Sequence, residues 1–142
     1  VRVTVRGAEA MGDLVELGRD EGWDLASSQP FCRVAWTSSS GPTVIPVSHV
    51  VHDHAVWFRT SAFSTLVREV DDERVAVLVD QVDTEHSLGW SVQLRGVAHV
   101  HYHLDEVPEP VRALHPLASG ARPLWIELRP DEVHGRRLVA ED

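Results

Sequence analysis

Along most of this chain apolar and polar residues alternate with a period of two, the pattern of strands that bury one face. Phe31–Thr37 is a mostly apolar strand, and the turn residues Ser38-Ser39-Ser40-Gly41-Pro42 predict a hairpin into Thr43–Val51. In that second strand Thr43, Ile45, Val47, His49 and Val51 share one face, and Val44, Pro46, Ser48 and Val50 share the other. Pro46 cannot donate to a sheet ladder, which assigns it to an edge or to a place where the backbone is free to meet a ligand. A polar turn at Asp53 leads into a third strand, Ala55–Thr60, and then a helix with Leu66, Val67 and Val70 on one face. Arg74–Asp80 is nearly continuous Val and Leu, expected as a central strand buried on both faces. Gly89–His103 is the longest alternating segment, and Gly96 within it predicts a bulge or bend. Val107–Leu114 reads as helical once past its prolines, and Pro123–Arg129 and Val133–Val139 read as closing strands. The start of the chain differs. Val1–Gly7 suits a short strand, Met11–Leu17 has helical three-and-four spacing closed by Gly18 and Gly22, and Trp23–Pro30 reads as loop.

About six hairpin-connected strands with short helices between them predict a mainly β fold, a six-stranded antiparallel barrel with flanking helices. A chain of 142 residues without repeats is expected as one domain over residues 1–142.

Composition narrows the function classes. No apolar run approaches the roughly 20 residues that cross a bilayer, and no signal-peptide layout opens the chain, so a cytoplasmic protein without a membrane role is expected. A net charge of −9 argues against a nucleic-acid groove. The single Cys32 excludes an internal disulfide and a multi-cysteine zinc site, and its apolar neighbours suit a buried small hydrophobe. All 13 basic residues are arginine. No Schiff-base lysine and no lysine phosphate ligand exist, so an anion must be held by arginine, hydroxyls, histidine and backbone.

The richest stretch is Thr43–Leu66. Arg59-Thr60-Ser61 ends a strand, and Ser64-Thr65 opens a helix, a junction where free backbone N–H groups, hydroxyls and an arginine fork can hold a phosphate. The plain alternative is a capped helix beside an exposed arginine. His99, His101 and His103 alternate along one strand face, a pattern open to a metal or to solvent. No nucleophile–base pair and no dinucleotide or P-loop glycine pattern stands out.

Taken in order, CRVAW, PVSHVV, WFRTS, RVAVLVDQVD, GWSVQLRGVA and LRPDEVHGRRL resemble the pyridoxamine 5'-phosphate oxidase-like flavin-binding split-barrel superfamily, especially its small actinobacterial members. The resemblance implies a six-stranded split barrel that forms a homodimer. It implies FMN, or a deazaflavin, in a groove between subunits, serving an oxidoreductase that moves hydride to or from a small-molecule substrate. Pro46, Val47, Ser48 and His49 would then lie along the flavin ring, and Arg59, Thr60, Ser61, Ser64 and Thr65 near the phosphate. Trp90 and Ser91 would face the groove, with Arg136 or Arg137 reaching the cofactor. This chain departs from the family pattern where relatives read FRTSPGTKL: Phe63 replaces a glycine and Thr65 replaces the phosphate-binding lysine. Losing that charge-assisted bond forfeits roughly 1.5–3 kcal/mol. The departure keeps alternatives in play: a non-catalytic ligand-binding barrel with no cofactor bound, or haem or metal bound through histidines such as His49 and His101.

Overall fold

A computed structural model of the protein describes residues 2–6, 11–60, 65–114 and 124–140. Its strands are β1 (Arg2–Arg6), β2 (Met11–Leu17), β3 (Phe31–Ser38), β4 (Gly41–His52), β5 (Ala55–Thr60), β6 (Arg74–Asp83), β7 (Leu88–His101) and β8 (Leu124–Ala140). The helices are α1 (Arg19–Ser27), α2 (Thr65–Val70) and α3 (Glu109–Arg112). All strand pairs are antiparallel. Six strands close a ring in the order β8-β5-β4-β3-β6-β7, with β7 returning to β8. The expected six-stranded barrel is therefore the architecture, with β1 and β2 added to the outer arm of β8.

Alternation builds the ring's interior. Cys32, Val34 and Trp36 from β3, Val56 and Phe58 from β5, and Val75, Val77 and Val79 from β6 belong to one buried cluster. Trp90, Val92, Leu94, Ala98 and Val100 of β7 meet Leu124, Ile126 and Leu128 of β8 in the same core. Cys32 is 2% exposed, and burial pushes its thiol up to about 12, so it is an inert hydrophobe as its neighbours predicted. At the β4–β5 turn Asp53 and His54 take φ of 50° and 55°, the left-handed pair that a two-residue hairpin with matching twist requires.

Three expectations are corrected. Met11–Leu17 is a strand, not a helix: Gly12–Leu17 pair with Gly135–Ala140, and the exposed edge of the long β8 arm decides what three apolar residues in a short window could not. The helix comes one segment later, over Arg19–Ser27, where a loop was expected from Trp23. Its buried stripe is only Gly22, Trp23 and Ala26, too sparse for periodicity to announce. Trp23 also stacks on His54, with ring centroids 5.1 Å apart and planes 8° from parallel, tying α1 to the β4–β5 turn. The two closing strands are one, because Pro130 sits at a register shift: Arg95 faces Glu132 and Gly96 faces Pro130, leaving Asp131 unmatched. That bulge lets proline lie within the strand and confirms the irregularity expected at Gly96.

Arg74–Asp80 also departs from expectation. Val75, Val77 and Val79 are buried inward, but Ala76 and Leu78 on the outer face are only half-buried. On the outside of β5 and the first half of β8 the sheet is covered. Ala55, Trp57 and Trp125 form a second cluster with Val107 and Val111 of the segment that carries α3.

Candidate functional site

The ring is incomplete along one edge. β4 pairs with β3 from Gly41 to Ser48, but β5 joins it only from His49 to His52. Residues 41–48 therefore have a strand partner on one side alone among the described residues. The His49 N–H donates to Pro30 O at 3.0 Å, so odd-numbered positions of β4 spend their backbone groups on the β3 side. By antiparallel alternation, Val44, Pro46 and Ser48 turn theirs to the open side. Pro46 falls on a position whose missing N–H costs no ladder bond, as an edge proline should. The open edge thus offers N–H groups at Val44 and Ser48 and carbonyls at all three. Val47 points into the core at 9% exposure, and Ser48 is 8% exposed.

His49 is not a free ligand. Its ring is 4% exposed beneath α1, Nε2 lies 2.8 Å from Ala26 O, and Nδ1 is buried without a partner. Burial lowers its pKa, the Ala26 carbonyl opposing in part.

Of the predicted phosphate group, Thr60 closes β5 at 8% exposure and Thr65 is the exposed first residue of α2. Ser61, Phe63 and Ser64 lie outside the described residues. Arg59 sits on the outward face of β5. Its guanidinium lies 4.6 Å over the Trp125 ring, and Nη1 donates to Leu114 O at 3.4 Å. These contacts tie it to β8 and to the chain just after α3.

Trp90 and Arg137 meet elsewhere, as paired residues of β7 and β8. With Leu88, Val82, Asp83 and Glu85 they line an open cavity of about 750 Å³ beside the β6–β7 turn. Trp90 is 8% exposed, and Arg137 Nη2 reaches Glu21 Oε1 of α1 at 3.4 Å. Ser91 and Arg136, also paired, line an adjoining recess of about 180 Å³.

The histidine face is not simply solvated. His101 lies between two carboxylates, Nε2 at 2.9 Å from Glu127 Oε1 and Nδ1 at 3.2 Å from Glu106 Oε2, with its ring stacked on Trp57. Glu127 is 6% exposed, and Arg129 Nε meets its other oxygen at 2.6 Å. His99 Nδ1 lies 2.8 Å from Asp72 Oδ1. Asp71, Asp72 and His99 are the metal-capable grouping among the described residues, and all three are exposed. Sequence reasoning missed Glu127 and Glu106 because no local motif joins either to His101.

With this geometry in place, comparison with known proteins is decisive. Residues 18–137 match the pyridoxamine 5'-phosphate oxidase family profile. The chain belongs to that family. The family assignment is supported by uncharacterized protein Rv0080 of Mycobacterium tuberculosis, 34% identical over 134 residues, which span 91% of this chain and 88% of that one. An FAD-binding protein of Mycobacterium smegmatis superposes with a TM-score of 0.72 at 31% identity, covering 87% of this chain and 97% of its own. An FAD-binding protein of Mesorhizobium loti shares the fold, with a TM-score of 0.70 at 18% identity over 87% of this chain and 97% of that one.

Proposed function

We propose that this protein binds a flavin nucleotide along the open edge of β4 and, as a homodimer, passes hydride between the flavin and a small molecule in the cytoplasm. The observation that carries this reading is the half-strand 41–48 with its unspent backbone groups. The pyrimidine ring of a flavin presents acceptor, donor and acceptor in turn along one edge; the Pro46 carbonyl and the Ser48 N–H would meet an adjacent donor and acceptor of it, and the Val44 N–H, about 14 Å back along the strand, would meet the ribityl or phosphate end. The flavin supplies the redox chemistry, and the chain supplies binding, orientation and exclusion of water. Family membership and the FAD-binding relative from M. smegmatis support the cofactor class.

A distance supports the dimer. Ser48 pairs with Phe31, Phe31 stands level with Asp80 when the β3–β6 register is extended, and Asp80 pairs with Ser91. Three strand spacings separate Ser48 from Ser91, about 14 Å, so rings lying along β4 do not also reach the Trp90–Arg137 cavity of the same chain. Both half-sites can serve one flavin only if two chains contribute. The intervening outer face suits such a partner. Phe31 is 52% and Val44 61% exposed, Leu78 lies half-buried beside them, and no described element of the chain covers them.

Absorbance spectra with added FMN, FAD and deazaflavin test the cofactor reading, together with quenching of tryptophan fluorescence. A protein that binds none of the three overturns it. Val44→Pro removes an open-edge N–H without touching the β3 ladder. One net hydrogen bond of about 1 kcal/mol corresponds to roughly fivefold weaker flavin binding, with little change in the melting temperature. Phe31→Asp places a charge in the dimer face. Sedimentation should show a monomer that has lost flavin affinity; a flavin-loaded dimer would refute the shared site.

A further inference from the structure

The cavity beside the β6–β7 turn holds about 750 Å³, the size of a pocket that encloses a whole drug-sized ligand. That is room for a reacting small molecule as well as the end of a flavin. Val82, Leu88 and Trp90 give it an apolar wall, and Val82 and Leu88 are 66% and 38% exposed. The charged side chains of its described lining are Asp83, Glu85 and Arg137.

These three charges are not equally available. Arg137 Nη2 lies 3.4 Å from Glu21 Oε1, so the cation of the lining already faces a carboxylate of α1. Asp83 is spent on its own turn. Its Oδ1 accepts from the Glu85 and His86 N–H groups at 3.1 and 3.2 Å, and its Oδ2 lies 2.7 Å from His86 Nδ1. The bonds from His86 foremost hold the Asp83 carboxyl below the usual carboxylate range, so it stays charged. Glu85 is different. It is exposed, the Asp83 bond fixes its backbone, and its carboxylate has no partner among the described residues.

An open carboxylate beside an apolar wall, with the neighbouring cation engaged, attracts positive charge and repels negative charge. We propose that this cavity selects an organic cation with an apolar body over carboxylates and phosphates of the same shape, and that Glu85 sets the preference. On the flavin reading above, on which this assignment rests, that cation is the molecule that exchanges hydride with the flavin. An exposed ion pair contributes up to about fivefold in affinity. A cation gains from Glu85 and an anion of equal shape loses, which spreads the two by about tenfold.

The test titrates the full chain with benzamidinium, benzamide and benzoate, three probes of nearly one shape and three charges. Binding is read by ligand-detected NMR before and after FMN is added. Benzamidinium should bind about tenfold more tightly than benzoate at low salt, with benzamide between them. Glu85→Gln should bring the outer two within about threefold. Glu109→Gln removes an exposed carboxylate of α3 outside this lining and should leave the gap intact. The general field of a chain of net charge −9 weakens alike in both variants, so their difference isolates Glu85. Benzoate binding as tightly as benzamidinium, a gap that survives Glu85→Gln, or no binding of any probe overturns the proposal. Any of these in a chain that takes up flavin leaves the flavin reading standing. The expected selectivity in a chain that takes up no flavin overturns that reading and keeps the preference of the cavity.

Discussion

Replacing Gly96 with alanine will lower stability by about 3 kcal/mol, at the upper end of what overpacking a core usually costs. A Cβ at this position would lie 2.5 Å from Arg129 O and 2.7 Å from Pro130 Cα. Both are backbone atoms, so no side-chain rotation relieves the contact. The site is also the worst place in the barrel to yield. Here β7 and β8 shift register by one residue, and β8 must hold the β5 side of the ring with one half and the β2 arm with the other. Moving Arg129 disturbs a strand whose neighbours on the inner face, Leu128 and Ala98, are fully buried. For a chain of this length the loss corresponds to roughly 10 °C in melting temperature. Gly18→Ala is the control, because a Cβ there meets nothing within 4 Å. Thermal unfolding of the two variants should separate them clearly. Near-equal midpoints would mean that the bulge absorbs a side chain.

Alternation made the barrel legible because one face of each ring strand is buried and the other is not, which is what a period of two reports. Met11–Leu17 and α1 were illegible for opposite reasons. The strand takes its identity from β8, more than a hundred residues away in sequence, and the helix buries too few residues to create a periodic signal. The site divides similarly. Pro46 announced an open edge through a local rule, since proline tolerates only a ladder position whose N–H is not needed. The neighbours of Arg59 in sequence left it either an anion ligand or an arginine beside a capped helix, and a side chain's direction in a strand depends on parity. Parity puts its guanidinium over Trp125.

Acid should loosen this fold through His49, and His49→Gln should remove that limb of the pH dependence. The ring is buried under α1 and donates from Nε2 to Ala26 O, which fixes the neutral form with its proton on Nε2. A second proton on Nδ1 would be buried with no acceptor. Burial accordingly holds the folded-state pKa below the usual 6.5, with the Ala26 bond opposing in part. Below pH 6.5 the unfolded chain binds a proton that the folded chain refuses. Stability therefore falls with acidity, by at most about 1.4 kcal/mol per pH unit from this one group, until the folded pKa is reached. Above neutrality both states are neutral and the term vanishes. Glutamine can keep the donation to Ala26 and does not titrate, so it should be modestly less stable than the native protein at pH 7.5. Between pH 6.5 and 5 the native protein should lose up to about 2 kcal/mol relative to the variant, read from urea midpoints at matched pH. A gap that stays constant with pH would mean that the ring protonates as easily folded as unfolded. The position gives the effect a functional edge. His49 is where β4 passes from its open half to its paired half, so a charge forced onto this ring would pry α1 from the strand immediately beside Ser48, and flavin affinity should decline over the same pH range.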